Sequence, residues 1–232
     1  MLRYDDGNSY VTKFRGNPQG DKILVSELVA SGLLKDLDFA RVTSRIVTVD
    51  AYLMSMQPEL AGFTAGPQFG SLHERDNAPF SEDAITRLTN RNDLPQVILF
   101  DALVCNGDRN SGNILLIKDT SRTAVAYRFA MIDHSHIFGG PQWNSHTLAT
   151  LKSSQNLYLS TLNLNHVPAK LDVFEPFLLR LEALTPDTIK SILDEVPVEW
   201  ALTSSDKDAL QDFLVIRKGL VRSVISAAIG TP

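Results

Sequence analysis

The segment Asn106–Asn113, NGDRNSGN, sets a carboxylate, Asp108, five positions before an amide, Asn113, on a stretch rich in turn-forming residues. A second carboxylate, Asp133, closes the apolar run Met131-Ile132 farther along the chain. An acid on a loop, followed by an amide at this spacing, suits phosphoryl transfer. Asp108 can accept or orient the proton of an attacking hydroxyl, and Asn113 offers a neutral oxygen to a metal ion. Magnesium takes few protein ligands, usually one or two carboxylates beside phosphate oxygens and water, so Asp133 fits as the main carboxylate. This chemistry asks chiefly for positioning and charge neutralisation. Each residue also has an ordinary reading. Asn, Asp, Gly and Ser dominate turns for local hydrogen-bonding reasons, and Asp133 can cap a turn after a strand. The combination, with strands between its parts, carries the chemical reading.

The elements that must position these residues follow from the hydrophobic pattern. Leu94 to Cys105 predicts a helix running into the loop. Asn113–Ile117 and Tyr127–Ile132 predict paired strands joined by the polar stretch Lys118–Thr123, a hairpin that would bring Asn113 and Asp133 to one end. Upstream, Asp5-Asp6-Gly7-Asn8 is a turn signal, Tyr10–Phe14 alternates as a strand, and Gly16–Gly20 is a loop. Asp21–Leu37 predicts a helix and Arg45–Asp50 a strand. Gly62–Pro79, rich in Gly, Pro and polar residues, is expected to be a connecting loop. Ser81-Glu82-Asp83 is expected to open a helix with a hydroxyl cap. Near the end, Leu210, Phe213, Leu214, Arg217, Val221, Val224, Ile225 and Ala228 follow helical spacing, which predicts a core-facing stripe. The expected division is a sheet-bearing lobe over 1–61, a connector over 62–80, and a helical catalytic lobe over 81–232.

Bulk properties bound the answer. With 232 residues, 44% hydrophobic and 21% charged, the chain can bury a sizeable core. A net charge of -5 argues against a general nucleic-acid binder. The single cysteine, Cys105, cannot form an internal disulfide. The N-terminus has no apolar run behind a basic start, and no stretch approaches the ~20 apolar residues of a membrane span. The expected compartment is the cytoplasm. His134, His136 and His146 lack the spacing and cysteine partners of a zinc site. Asp101, in the apolar helix before the loop, can orient the loop from behind.

The order Asp-x4-Asn, hairpin, Ile-Asp resembles the catalytic and metal-binding loops of protein-kinase-like folds. NGDRNSGNILL followed by MIDHSH looks closest to the HipA-like kinases. It is also similar to the phosphoinositide kinases, whose loop runs Asp-Arg-His and whose metal aspartate follows an isoleucine. The segments YVTKF, GNPQG and SEL near the N-terminus resemble HipA-like domains as well, so the likeness spans roughly the first two-thirds of the chain. It implies an α+β, two-lobed kinase-like fold with ATP in a cleft, Mg2+ on Asn113 and Asp133, and Lys13 on the α/β-phosphates. It also implies that Glu27, on the next helix, pairs with Lys13. Asn106 stands either as a phosphate contact or as a support of the loop. The acceptor implied is a serine or threonine of a protein substrate whose identity the sequence leaves open.

Two departures stand out. Asn110 occupies the place where these families usually have a histidine. The resemblance also implies a phosphate-covering loop ahead of the strand that precedes the lysine strand, and Met1–Tyr4 already fills that strand. Either residues upstream of Met1 or a partner protein complete the cover, or nucleotide is held without it, or Gly16–Gly20 partly substitutes. The rival readings are a small-molecule or lipid kinase, a kinase-shaped binding module without turnover, and a metal-dependent hydrolase that would leave Lys13 and Glu27 unexplained.

Overall fold

A computed structural model describes residues 1–157 and 167–230. Two small antiparallel sheets carry the residues singled out above. In the first, strands β1 (Leu2–Arg3), β2 (Ser9–Arg15), β3 (Ser44–Val49) and β4 (Thr64–Leu72) lie in the order β1-β2-β4-β3. The expected turn at residues 5–8 joins β1 to β2, with Tyr4 N–H bonded to Asn8 O at 2.9 Å. In the second sheet, β5 (Asn77–Pro79), β6 (Ile114–Lys118) and β7 (Tyr127–Met131) lie in that order. The β6–β7 pair is the predicted hairpin, with Ile114 opposite Met131.

Residues 62–80, expected as a connector, hold β4 and β5 instead, and β4 is paired on both sides. Its Gly and Pro content hides it. Pro cannot donate to a ladder and is confined to edges and bulges. Here the register with β2 shifts between Lys13, opposite Phe69, and Arg15, opposite Thr64, so Pro67 lies in a stretch that β2 does not pair. Gln68 fills the irregularity. Its Oε1 accepts from Arg15 N–H at 2.6 Å, and its Nε2 donates to Thr64 O at 2.6 Å. Trp200 Nε1–H covers the Pro67 carbonyl at 2.9 Å. A bulge of this kind re-aims neighbouring side chains, and Lys13 stands at its edge.

Helix α1 (Lys22–Asp36) crosses the first sheet, and its run from Ile23 to Ala30 is buried on every side. It is covered by β4 on one side and by α6 (Pro186–Asp194) on another. The short helix α2 (Ala51–Met56) lies between β3 and β4 and buries none of its residues. The expected helix at Ser81 is a 3-10 segment, Glu82–Arg87, and the Ser81 side chain makes no cap hydrogen bond. Helix α3 (Pro95–Val104) is buried along its whole length. It packs against α5 (Leu171–Ala183) and α7 (Ser204–Ala228), and α4 (Ser145–Leu151) packs on α7 as well. The α7 stripe from Leu210 to Ile225 is buried as its spacing predicts, whereas Ala228 is exposed. Within that stripe Arg217 is fully buried and donates to the carbonyls of Ala102 and Ser154. Among the described residues, no helix is long and apolar enough to cross a membrane.

Gly32 of α1 faces Ile192 of α6. A Cβ at this position would fall 2.6 Å from Ile192 Cγ2. Alanine gains ~1 kcal/mol over glycine in a helix interior, but overpacking of a core costs ~1–3 kcal/mol. Gly32→Ala is therefore expected to lower the urea midpoint, and adding Ile192→Ala, which clears the space, should make the same alanine stabilising relative to the single Ile192→Ala variant.

Candidate active site

Helix α3 ends in a left-handed residue, Cys105, at φ 52°. That turn starts the loop bearing Asp108. A non-glycine residue in this region costs on the order of 1–3 kcal/mol and persists only where its surroundings enforce it. The enforcing groups sit behind the loop. Asn106 Nδ2 donates to Asp101 Oδ1 at 2.9 Å, and Asn106 Oδ1 accepts from Asp108 N–H at 3.0 Å. Both ends of the Asn106 amide are thus used within the protein, and the residue is buried.

Arg109 is 1% exposed and forks onto Asp101, with Nε–Oδ2 and Nη2–Oδ1 both at 3.0 Å. Its Nη1 donates to Asn113 O at 2.7 Å and Ile132 O at 3.0 Å. One guanidinium therefore ties the loop to the ends of β6 and β7. Asn113 lies just before β6, in a 3-10 turn whose cap is Asn110: Oδ1 of Asn110 accepts from Gly112 N–H at 2.9 Å. The residue that departs from the family pattern has a local turn-forming role. Asn113 Nδ2 donates to Asp108 O at 2.9 Å and approaches Asp108 Oδ2 at 3.3 Å, which leaves Asn113 Oδ1 as the oxygen a cation can use.

Asp133 follows β7 with φ 52°, a second strained non-glycine residue. Its Oδ1 meets Lys13 Nζ at 2.6 Å, and Lys13 Nζ meets Glu27 Oε1 at 2.5 Å. Glu27 is 3% exposed and also accepts from His134 N–H at 2.9 Å. Ser135 completes the cluster, donating its Oγ–H to Asp133 Oδ1 at 2.6 Å and lying 3.2 Å from Lys13 Nζ. Burial opposes charge on all three ionisable groups. It works against the Asp133 carboxylate, yet the Lys13 charge and the hydrogen bonds of Lys13 and Ser135 hold that carboxyl well below its usual range. It works against the Glu27 carboxylate too, and the Lys13 charge with the His134 contact lowers it nonetheless. It lowers the Lys13 ammonium, but Glu27 and Asp133 more than reverse this and raise it. His134 is pushed down by its burial, against the pull of Glu27.

Asp108, Asn113 and Asp133 thus lie around one end of the β6–β7 hairpin, with Lys13 joined to Asp133 from the first sheet and to Glu27 on α1. Next to them is a cavity of about 210 Å³. Val11, Val42, Leu72, Leu115 and Ile132 give it an apolar lining, and Lys13, Glu27 and Asp133 give it a charged end. Ser135 is the site residue that reading the sequence missed. Its only local signal is a hydroxyl two positions after an aspartate, a common turn pattern. Asp101 does hold the loop from behind. His134 is buried against Glu27 and Phe100, and His136 stands beside Asp108. Among the described residues, no group of three or more His, Cys, Asp or Glu side chains converges as a metal cage.

A family model described as HipA-like kinase matches residues 1–225. Comparison with curated proteins finds no match. Among solved structures, the Helicobacter pylori proinflammatory kinase CtkA aligns with a TM-score of 0.62 at 15% identity, over 98% of this chain and 92% of its own. HipA of Shewanella oneidensis MR-1, solved with HipB and operator DNA, aligns with a TM-score of 0.49 at 12% identity, over 96% of this chain and 59% of that one. At its identity the CtkA likeness is one of fold: mixed helix and sheet, with small antiparallel sheets.

Two measurements test this geometry. Arg109→Ala leaves the buried Asp101 carboxylate unpaired, so a loss of ~3–5 kcal/mol in urea unfolding is expected. Arg109→Lys should restore only a small part of it, because an ammonium cannot make the fork. The second concerns pH. Glu27 and Asp133 have lowered folded-state values, so their contribution to stability is complete above the ordinary carboxyl value of about 4.5 and lost as pH falls through the lowered ones. In Lys13→Met, Glu27 stays buried without a cation, its value rises, and the sign reverses. The Tm deficit of Lys13→Met relative to the unaltered chain should widen as pH rises from 5 to 8; a constant deficit would show that Glu27 does not depend on Lys13.

Proposed function

The chain belongs to the HipA-like kinase family, and from that premise we propose that it transfers the γ-phosphoryl group of ATP to a hydroxyl, in a magnesium-dependent reaction centred on Asp108. The observation that carries the reading is the Glu27–Lys13–Asp133 chain of contacts, 2.5 and 2.6 Å long. It joins a cation from the first sheet to an acid at the end of the hairpin, beside an apolar cavity. A fold that needed no anionic ligand would gain little from holding three charges partly out of water.

The nucleotide base fits the apolar part of the cavity, which Val11, Val42, Leu72, Leu115 and Ile132 line. Lys13 serves the α/β-phosphates, held in place by Glu27. The donor set suits a hard cation: Asp133 stays ionised far into the acid range, and Asn113 has an oxygen free of internal donors. When bound, magnesium supplies charge neutralisation at the phosphates. Asp108 orients the acceptor hydroxyl and takes its proton as the new oxygen–phosphorus bond forms. The bond from the γ-phosphorus to the bridging oxygen breaks at the same time, and ADP leaves with that electron pair. Asn106 and Arg109 act through the loop they support. In this reading the cleft separates two lobes, and the acceptor is a serine or threonine of a protein, as the family resemblance implies.

Calorimetry with ATP, with and without magnesium, tests the site. The intact chain is expected to bind magnesium-ATP, and Asp133→Ala to lose the magnesium-dependent part. Asp108→Asn should keep the affinity and lower transfer from γ-labelled ATP by ~10²–10⁴-fold. An intact chain that binds no ATP would sink the reading and leave a kinase-shaped binding module.

A further inference from the structure

The front of the site holds residues that phosphoryl transfer, as read so far, does not use. His136 Nδ1 lies 3.7 Å from Asp108 Oδ2, and His136 Nε2 lies 3.5 Å from Nε2 of Gln19. A carboxamide nitrogen can only donate, so at this contact the imidazole Nε2 is the acceptor. The ring proton then belongs on Nδ1, the atom nearer the carboxylate. Gln19 is itself held in place. Its N–H donates to Asn17 Oδ1 at 2.9 Å, and its carbonyl accepts from Gln142 Nε2 at 2.5 Å. The next residue, Gly20, has φ +94°, and a Cβ there would come within 3.0 Å of Gln142 Nε2. Only glycine adopts that backbone readily and lets Gln142 approach so closely.

We propose that Gln19 and His136 form a latch that sets the His136 tautomer and through it orients Asp108, which makes His136 a positioning residue for the acceptor step. The inference rests on the reading of Asp108 as the group that receives the acceptor proton. Asn113 Nδ2 approaches Asp108 Oδ2 at 3.3 Å, and the His136 ring approaches the same oxygen. With Oδ2 held by Asn113 and faced by the His136 ring, Oδ1 is the oxygen left for an incoming hydroxyl. In front of Asp108 lies a hollow of about 370 Å³, bounded by Cys105, Gly107, His136, Gly139, Gly140 and Leu151. A hydroxyl-bearing side chain can enter this space. At 3.7 Å the imidazole contact is longer than a hydrogen bond, as catalytic contacts often are before substrate binds. Gln19 belongs to the loop that leaves the Lys13 strand, so the latch makes the aim of the catalytic acid depend on the segment that follows the nucleotide-facing lysine.

Nitrogen-15 NMR of histidine-labelled full chain tests the latch without turnover, the His136 signals being assigned by their loss in His136→Gln. The Nδ1–H tautomer is expected in the unaltered chain, and Gln19→Ala should return the ring to the Nε2–H form favoured by free imidazole. An Nε2–H ring in the unaltered chain, or no response to Gln19→Ala, would overturn the latch. Turnover is then read with magnesium and γ-labelled ATP, counting phosphate released to water and phosphate transferred to the chain itself. His136→Gln and Gln19→Ala should each lower kcat by roughly 10- to 100-fold with KM for ATP unchanged. Neither should lower it further in an Asp108→Asn background, since both act through that residue. A raised KM, or losses that add to Asp108→Asn, would overturn the positioning role. A chain that binds magnesium-ATP and never turns over would sink the phosphotransfer reading, and the tautomer measurement would then decide the latch alone.

Discussion

Glu27 is a carboxylate held almost wholly out of water, and much of the site depends on how that charge is neutralised. An isolated ion in the interior is so costly that it would take up a proton instead. Lys13 prevents this at 2.5 Å, and the His134 N–H adds a second donor. Two consecutive elements are thereby fixed to each other: α1, which bears Glu27 among fully buried apolar residues, and β2, which presents Lys13 at the edge of its bulge. The same ammonium reaches Asp133 beyond β7, so one cation sets the distance between the first sheet and the end of the hairpin. Buried ion pairs contribute little net stability compared with apolar packing of equal volume. Their presence at this point is better explained by position than by stability.

The same device recurs behind the Asp108 loop. Asp101 and Arg109 are both nearly inaccessible, and the guanidinium spends its remaining donors on the carbonyls of Asn113 and Ile132. Arg217 does similar work lower down, donating to Ala102 O near the end of α3. Both arginines reach carbonyls at strand and helix ends, and at Asn113 the guanidinium adds a second donor to an oxygen that already accepts from Ile132 N–H. The strained residues Cys105 and Asp133 lie at the two chain segments that these contacts restrain. A loop held this way cannot relax its left-handed turns without exposing a buried ion to an apolar interior, and that penalty exceeds the ~1–3 kcal/mol of backbone strain.

What could be read from the sequence divides along the range of the interactions. NGDRNSGN, the β6–β7 hairpin and the α7 stripe are local patterns, and they stand in the structure nearly where the pattern puts them. Helix α1 was also legible as a helix. That it is buried on every side follows from α6, which lies far away in sequence. Strand β4 was illegible because what permits Gly66 and Pro67 inside a sheet is a register shift in β2, plugged by Gln68 and covered by Trp200. Gln68 belongs to β4 itself, but β2 and Trp200 are both far from it in the chain. Ser81 failed as a helix signal for a related reason: its acids and hydroxyl match a cap, but the segment closes 3-10 turns instead of an α-helix. At the site, charged residues could be named from their types, whereas Ser135 could not, because a serine after an aspartate is common in any turn.

The direct contact between Lys13 and Asp133 bears on how a nucleotide would enter. On the proposed reading both groups face phosphates or the cation that accompanies them, so their mutual pair must yield. Its two halves are unequal. Asp133 is 44% exposed, and water can replace the Lys13 charge around it. Glu27 is 3% exposed, and among the described residues Lys13 is the one lysine or arginine paired with it. Separating Lys13 from Asp133 therefore costs less than separating it from Glu27, which would strand a buried ion. The asymmetry decides which bond opens. On that reading Lys13 stays paired with Glu27 of α1 and turns toward the phosphates, and Asp133 is released to the cation side, so phosphate and metal would be held apart by one side chain each.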